Sequence, residues 1–367
     1  MSTEANDPRL LARADVRALR LYSPDTSECA VDLSDNTNLW GPPPAALRII
    51  TSASRASVAR YPSLRCEALG RALLRYAGLE GIASARVVTG CGSDDVIDST
   101  MRAFGSAGDR VAFSAPTFSM VPVFAALNGL EPVSVPLTDH FDLDVERLVD
   151  VGAKITYLCT PNNPTATALS REAVEFVAAR AQGIVLLDEA YAEFAPENFV
   201  DLVGRHDRLL VTRTFSKAFG LAGLRVGYGL GTTDIVALVE RARGPYKVNT
   251  LAERAALASL DDTDEGVRWV RAHAALAVEH RTRLAAALVA LGLTPLPSAA
   301  NFIFIPTAHA SSIAQQLRER GILVRLLTDL PRDLGCLADS DGRALRIGVG
   351  PWEQMQALLD ALAEVLQ

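Results

Sequence analysis

Lys217 lies in the run Phe215-Ser216-Lys217-Ala218-Phe219-Gly220-Leu221-Ala222-Gly223-Leu224-Arg225, among aromatic and small apolar neighbours. Such surroundings strip water from an ammonium and favour the neutral amine, which is a nucleophile. A lysine merely exposed on the surface fits so apolar a stretch poorly. Ser216 and Arg225 add a hydroxyl and a guanidinium suited to a phosphate. Gly220 and Gly223 permit a loop tight enough to fold Arg225 back toward the amine. The segment therefore reads as a nucleophile beside an anion site.

Three further segments carry polar chemistry. Gly90-Cys91-Gly92-Ser93-Asp94-Asp95 leads into an amphipathic helix with Val96, Ile97, Met101 and Phe104 inward. A glycine turn at a helix N-terminus presents free N–H groups and the positive dipole end to an anion; a helix simply capped by Ser93 or Asp94 is the alternative. The third glycine of a dinucleotide-binding G-x-G-x-x-G is missing. Thr160-Pro161-Asn162-Asn163-Pro164-Thr165 has two prolines that stiffen it and two amides as directed donors, or is a plain β-turn. Asp188, in Asp188-Glu189-Ala190-Tyr191, follows four apolar strand residues and is costly to bury without a cationic partner. A protonated pyridine nitrogen would serve, and so would a structural ion pair.

All four segments end short β-branched runs. The runs are Arg86–Thr89, Arg110–Ser114, Pro132–Val135, Ile155–Thr160, Ile184–Asp188, Leu209–Arg213 and Arg225–Gly229. Most are apolar throughout, as strands buried on both faces of a largely parallel sheet are. Amphipathic helices separate them, for instance Arg171–Ala181 with Val174, Phe176, Val177 and Ala181 on one face. The class is α/β with about seven strands, and ligands in such sheets bind outside the carboxyl ends of strands. After Pro245 the pattern changes to helices at 250–260 and 265–291, strands at Phe302–Ile305, Leu323–Leu326 and Leu345–Val349, and a terminal helix from Trp352. We expect an arm over residues 1–45, a large domain over 46–245 and a smaller α+β domain over 246–367.

Composition narrows the function. A chain of 367 residues, 49% hydrophobic and 22% charged, can bury a sizeable core. The net charge of -7 disfavours nucleic acid or an acidic membrane as partner. The five cysteines form no C-x-x-C pair and the five histidines show no ligand spacing, so neither a disulfide framework nor a metal site is expected. With no apolar signal core and no long apolar run, the chain reads as soluble and cytoplasmic.

The motifs together resemble the fold-type-I pyridoxal-phosphate aminotransferases of class I/II, and within them the histidinol-phosphate aminotransferase family. The resemblance spans nearly the whole chain: Tyr22, Tyr61-Pro62, the Gly-x-Gly-Ser-Asp turn, Asn163, the acidic motif Asp188–Phe194, the lysine segment Phe215–Arg225, Pro245-Tyr246, Ala300-Asn301-Phe302, Gly321–Arg325 and Leu345-Arg346-Ile347. It implies pyridoxal 5′-phosphate held by Lys217 as a Schiff base, with the same lysine moving the proton at the substrate's Cα. It implies Asp188 on the pyridine nitrogen, Tyr191 and Asn163 on the 3′-oxygen, and Phe118 stacked on the ring. Gly92, Ser93, Asp94, Ser216 and Arg225 would hold the phosphate, joined by Tyr61 from the second subunit of a homodimer. Arg346 would grip the substrate's carboxylate or phosphate, with Arg325, Tyr22 and Asn38 beside it.

Three positions depart from the family pattern. Phe118 stands where Tyr is common, Ala166 where Gly follows Asn-Pro-Thr, and Ser34-Asp35-Asn36-Thr37-Asn38-Leu39-Trp40-Gly41 where the family has N-x-N-E-N-P-x-G. The resemblance implies ping-pong transfer of an amino group from an amino acid or amino phosphate to a 2-oxo acid. Histidinol phosphate with 2-oxoglutarate is the leading pair, and an aromatic or specialised-biosynthesis amino donor is the rival. Amino-acid decarboxylation uses the same cofactor and lysine, and a non-catalytic regulatory domain that binds the cofactor is the remaining alternative.

Overall fold

The computed structural model describes residues 11–19 and 28–366. Its strands are β1 (Val31–Asp32), β2 (Ala85–Cys91), β3 (Arg110–Ala115), β4 (Glu131–Pro136), β5 (Ile155–Cys159), β6 (Ile184–Asp188), β7 (Leu209–Thr214), β8 (Val226–Thr232), β9 (Phe302–Pro306), β10 (Ile322–Leu323), β11 (Arg325–Leu327) and β12 (Ala344–Gly348). Seven of them form one sheet in the order β2-β8-β7-β6-β5-β3-β4. Only β8 runs antiparallel to its neighbours in it.

The apolar runs of β5 to β8 are buried at every residue, because helices cover both faces. Strand pleating divides their side chains between two cores. Ile184, Leu186 and Leu210 face one core with Val96, Ile97 and Met101 from helix Gly92–Phe104. Val185, Leu187, Leu209 and Val211 face the other, with Val174 and Val177 from helix Arg171–Arg180. Phe176 and Phe104, expected inward, are only partly buried, and the Arg180 guanidinium lies 4.9 Å from the Phe176 ring centroid. At helical spacing Phe176 follows Val174 by about 200°, which turns it off the core face. β4 lies at the sheet edge, where Pro132 and Pro136 cost no ladder hydrogen bond.

A smaller three-stranded antiparallel sheet, β11-β12-β9, packs on helices Ala310–Glu319 and Trp352–Val365. Residues 246–367 feed both bodies. Helix Thr250–Ser259 buries Ala252, Ala255 and Ala256 in the core of the large sheet, whereas β12 and the terminal helix fill the other core. The 24-residue helix Val267–Ala290 spans the two, with Val270, Ala274 and Ala277 in the first and Leu284 and Leu288 in the second. The single strand expected over 323–326 is two strands. Ile322-Leu323 pairs with Val31-Asp32, and the chain then changes partner so that Arg325–Leu327 pairs with β12.

Candidate active site

The ends of β2, β3, β5, β6 and β7 and the start of β8 share one edge of the large sheet, and the expected site residues gather there. A cavity of about 160 Å³ is lined by Ser93, Asp94, Phe118, Asn163, Asp188 and Tyr191, and by Ser216, Lys217 and Arg225. A larger groove, about 700 Å³, lies between helices Glu67–Tyr76 and Thr233–Ala242 and shares none of these residues.

One end of the cavity is built for an anion. Helix Gly92–Phe104 starts there, with Ser93 and Asp94 in its first turn. Neither residue caps the helix; Asp95 instead reaches back to accept from the Cys91 N–H at 3.0 Å. The Gly92 N–H donates to the Arg225 carbonyl at 3.0 Å, and the Ser93 and Asp94 N–H groups that follow remain for a ligand. Arg225 folds over this turn, its Nη1 donating to Ser216 Oγ at 3.3 Å and its Nη2 lying 3.1 Å from Asp94 Oδ2. Gly92 has a φ of +80°, and a Cβ there would stand 2.5 Å from Arg225 Nη2. From below, Gly227 lets β8 approach so closely that a Cβ would meet the Ser93 nitrogen at 2.0 Å. Burial pushes the Asp94 carboxyl up, against the pull of Arg225.

On the floor, Asp188 Oδ2 accepts from the Tyr157 hydroxyl at 2.8 Å, and Oδ1 from the Ala190 N–H at 3.1 Å and Thr212 at 3.3 Å. These donors are neutral, and burial raises the carboxyl from 3.8 to about 6. The structural ion pair considered for Asp188 is made next door: Glu189, turned to the opposite face, holds Arg213 at 2.7 Å. Tyr157 and Thr212 carried no expected role. A tyrosine in a strand buried at every residue, and a threonine in register with Asp188, are the features that could have drawn attention to them.

Lys217 is half-buried, with Nζ donating to the Asp35 carbonyl at 3.4 Å and 5.6 Å from the centroid of the Tyr191 ring. Burial, and then the Arg346 cation, lower it from 10.5 to about 8. Asn163 Oδ1 accepts from Arg346 Nη1 at 2.7 Å. Its neighbour Asn162 works structurally, donating to the Pro116 carbonyl at 2.8 Å and to Thr165 at 2.9 Å.

The remaining expected residues stand further out. Arg346 sits on β12 and Arg325 directly opposite it on β11, so both side chains leave the same face of the small sheet. Asn38 spends its amide on the Ala218 carbonyl at 2.8 Å and holds the lysine loop from outside the cavity. Tyr61 is 83% exposed and stacks on Tyr246 at 4.9 Å, away from this chain's cavity. Tyr22 lies outside the described residues.

The cavity suits one kind of ligand. It pairs an anion cradle with a nucleophilic amine, an aromatic wall and a buried carboxylate that lacks a cation among these hydrogen-bond donors. A phosphorylated pyridine aldehyde with a protonated ring nitrogen satisfies all four. Among the described residues no group of three His, Cys, Asp or Glu is placed to hold a metal ion, and no helix is long and apolar enough to cross a membrane.

Comparison with known proteins agrees with this chemistry. The profile of the family "Aminotransferase class I and II" matches residues 29–362. The histidinol-phosphate aminotransferase of Roseiflexus castenholzii is 41% identical over 97% of this chain and 98% of its own length. The aromatic amino acid aminotransferase of Mycobacterium tuberculosis is 35% identical over 85% of this chain and 90% of its own. The crystal structure of histidinol-phosphate aminotransferase from Sinorhizobium meliloti in complex with pyridoxal-5′-phosphate superposes with a TM-score of 0.83 at 27% identity, covering 96% of each chain. Transamination thus takes precedence over decarboxylation and over a non-catalytic role. The chain belongs to the class I and II aminotransferases and is a transaminase whose cofactor is pyridoxal 5′-phosphate.

Proposed function

We propose that the chain transfers the amino group of histidinol phosphate to a 2-oxo acid such as 2-oxoglutarate, as a cytoplasmic homodimer. The observation that carries this reading is the Arg325 and Arg346 pair, opposite each other on the small sheet, with Arg346 donating at 2.7 Å to Asn163 of the cavity that holds Lys217. Two guanidiniums suit a donor with a strongly anionic group and an acceptor with two carboxylates. The relatives named for histidinol phosphate support the same choice.

In this reading the chain's own groups divide the work. The helix N-terminus at Gly92–Asp94, the Ser216 hydroxyl and Arg225 hold the phosphate of the cofactor. Asp188 pairs with the ring nitrogen and keeps it protonated, Phe118 stacks on the ring, and Tyr191 and Asn163 serve the ring oxygen. Lys217 would hold the cofactor through its amine and, in turnover, would move the proton at the donor's Cα. Bound pyridoxal phosphate supplies the electron sink for the pair left at Cα. Arg346, with Arg325 opposite it on the small sheet, orients the substrate's anionic end, and Asn38 steadies the lysine loop. Tyr61, exposed on its own chain, would complete the phosphate site of the second subunit.

A second reading, an aromatic amino donor, is favoured by the mycobacterial relative and by the altered Ser34–Gly41 segment, in which Thr37 stands at the acidic position of the family's pattern. A half-reaction screen separates the two. Single donors are added to the loaded enzyme, and loss of the cofactor's visible absorbance is followed. Fastest conversion by histidinol phosphate is expected; conversion by phenylalanine or tyrosine but not by histidinol phosphate would select the second reading.

A further inference from the structure

Ser34, Asp35 and Asn36 form a short strap across the site, and each is tied to a different functional group. The Ser34 carbonyl accepts from Arg346 at 2.8 Å and the Asp35 carbonyl from Lys217 at 3.4 Å. Asn36 Nδ2 donates to the Tyr191 hydroxyl at 3.2 Å. Asn36 is 2% exposed and has a φ of +57°, a left-handed conformation that asparagine tolerates better than most residues. It is held from behind. Asn301, just before β9, donates to the Asn36 carbonyl at 3.1 Å, while its own carbonyl accepts from the Val349 N–H at 2.8 Å.

The Tyr191 ring has little freedom. It meets Phe302 edge-on at 5.1 Å, and the Lys217 ammonium stands 5.6 Å from its centroid. What stays adjustable is the hydroxyl proton. A phenol has one proton and accepts through its lone pairs. An oxygen that accepts from the Asn36 amide cannot point its own proton along that line, so the proton turns elsewhere. Tyr191 lines the cavity and Asn36 does not.

We propose that Asn36 is a positioning residue for Tyr191. By making the phenol an acceptor on the strap side, it presents the phenol's proton to the cavity, where an oxygen on the cofactor ring takes it. The inference rests on the reading of Tyr191 given above. Donation to a ring oxygen stabilises that oxygen's anionic form and lowers the pH at which the chromophore at Lys217 loses its proton. Losing the Asn36 donor raises that pH. The strap thereby sets the acidity of the site through a residue outside the cavity lining.

The test is a spectral pH titration of the loaded enzyme, read at the cofactor's visible band. Asn36→Gly removes the donor and keeps a positive φ at no steric cost. The midpoint should rise by roughly half a pH unit, the scale of one neutral hydrogen bond. The value of kcat should fall with KM for the 2-oxo acid little changed. Tyr191→Phe should shift the midpoint at least as far, and in that background Asn36→Gly should add nothing. Should Asn36→Gly not fold, Asn36→Asp swaps donor for acceptor at nearly the same shape. The part of its shift that persists with Tyr191→Phe then reports its charge, and only the remainder counts. An equal shift with and without the phenol overturns the proposal, as does no shift from Asn36→Gly while Tyr191→Phe moves the midpoint; both leave the site reading standing. No shift from Tyr191→Phe itself overturns the reading of Tyr191 and the proposal with it.

Discussion

Tyr157 and Asp188 meet across adjacent parallel strands, the phenol donating to Oδ2 at 2.8 Å while both residues are almost wholly buried. Tyr157 thus stabilises the carboxylate without neutralising it. Burial still dominates and holds the carboxyl at about 6. The protein alone pays a cost for this group that a cation at the cavity floor removes.

The cost has a defined pH window. The folded carboxyl, at about 6, binds its proton more tightly than the unfolded one at 3.8, so stability attributable to Asp188 is greatest below about 4 and falls as pH rises through 6. Asp188→Asn removes this term. The cofactor-free variant should match the parent in chemical denaturation at pH 4 and exceed it by about 1–3 kcal/mol above pH 6.5. The same variant should bind pyridoxal phosphate more weakly and turn over far more slowly. A parent more stable than the variant at neutral pH would contradict the assignment.

Lys217 attacks only as the free amine, and its pKa of about 8 puts half of it in that form at that pH. Capture of pyridoxal phosphate by the cofactor-free protein, followed as growth of the visible band in stopped flow, should accelerate as pH rises and level off above about 9. Lys217→Ala should show no borohydride-trappable adduct. An adduct on another lysine would refute the assignment.

Arg346 binds Asn163 and the Ser34 carbonyl through two nitrogens, geometry that lysine cannot reproduce. Arg346→Lys should raise KM for the anionic substrate by about ten- to a hundredfold, the worth of one charge-assisted contact. Steady-state kinetics with 2-oxoglutarate measures it, and an unchanged KM moves the anion site elsewhere.

Gly227 and Gly223 make a matched pair. A methyl at Gly227 would overlap the Ser93 nitrogen, whereas nothing lies within 4 Å of a Cβ at Gly223. Gly227→Ala should lower stability by about 1–3 kcal/mol and weaken cofactor binding, because the phosphate turn must move. Gly223→Ala should alter neither. Urea unfolding and cofactor titration decide it; equal effects at both positions would show that the close approach does not matter.

The strand-end motifs were readable because each needs only local chemistry. Lys217 and Asp188 sit in runs whose apolar character already dictates desolvation, and Gly92 marks a turn by its backbone freedom. The split of 323–326 into two strands was hidden, because a change of partner leaves no mark in a continuous apolar run. Phe176 shows the opposite limit, an apolar residue that helical phase turns away from the core.

Fold class, the strand ends where polar residues gather and the desolvation of Lys217 all follow from patterning and local residue type, and the cofactor from the family resemblance those motifs carry. Which hydrogen bonds those residues make depends on how distant segments come together in the fold. Asn163 binds Arg346 and Asn162 holds the loop, although the two are adjacent and alike. Tyr157, 31 residues from Asp188, supports it, and Asn36, 155 residues from Tyr191, orients it. Such pairings depend on register between strands and on where a distant strap crosses the sheet edge, and neither is encoded in any short stretch of chain.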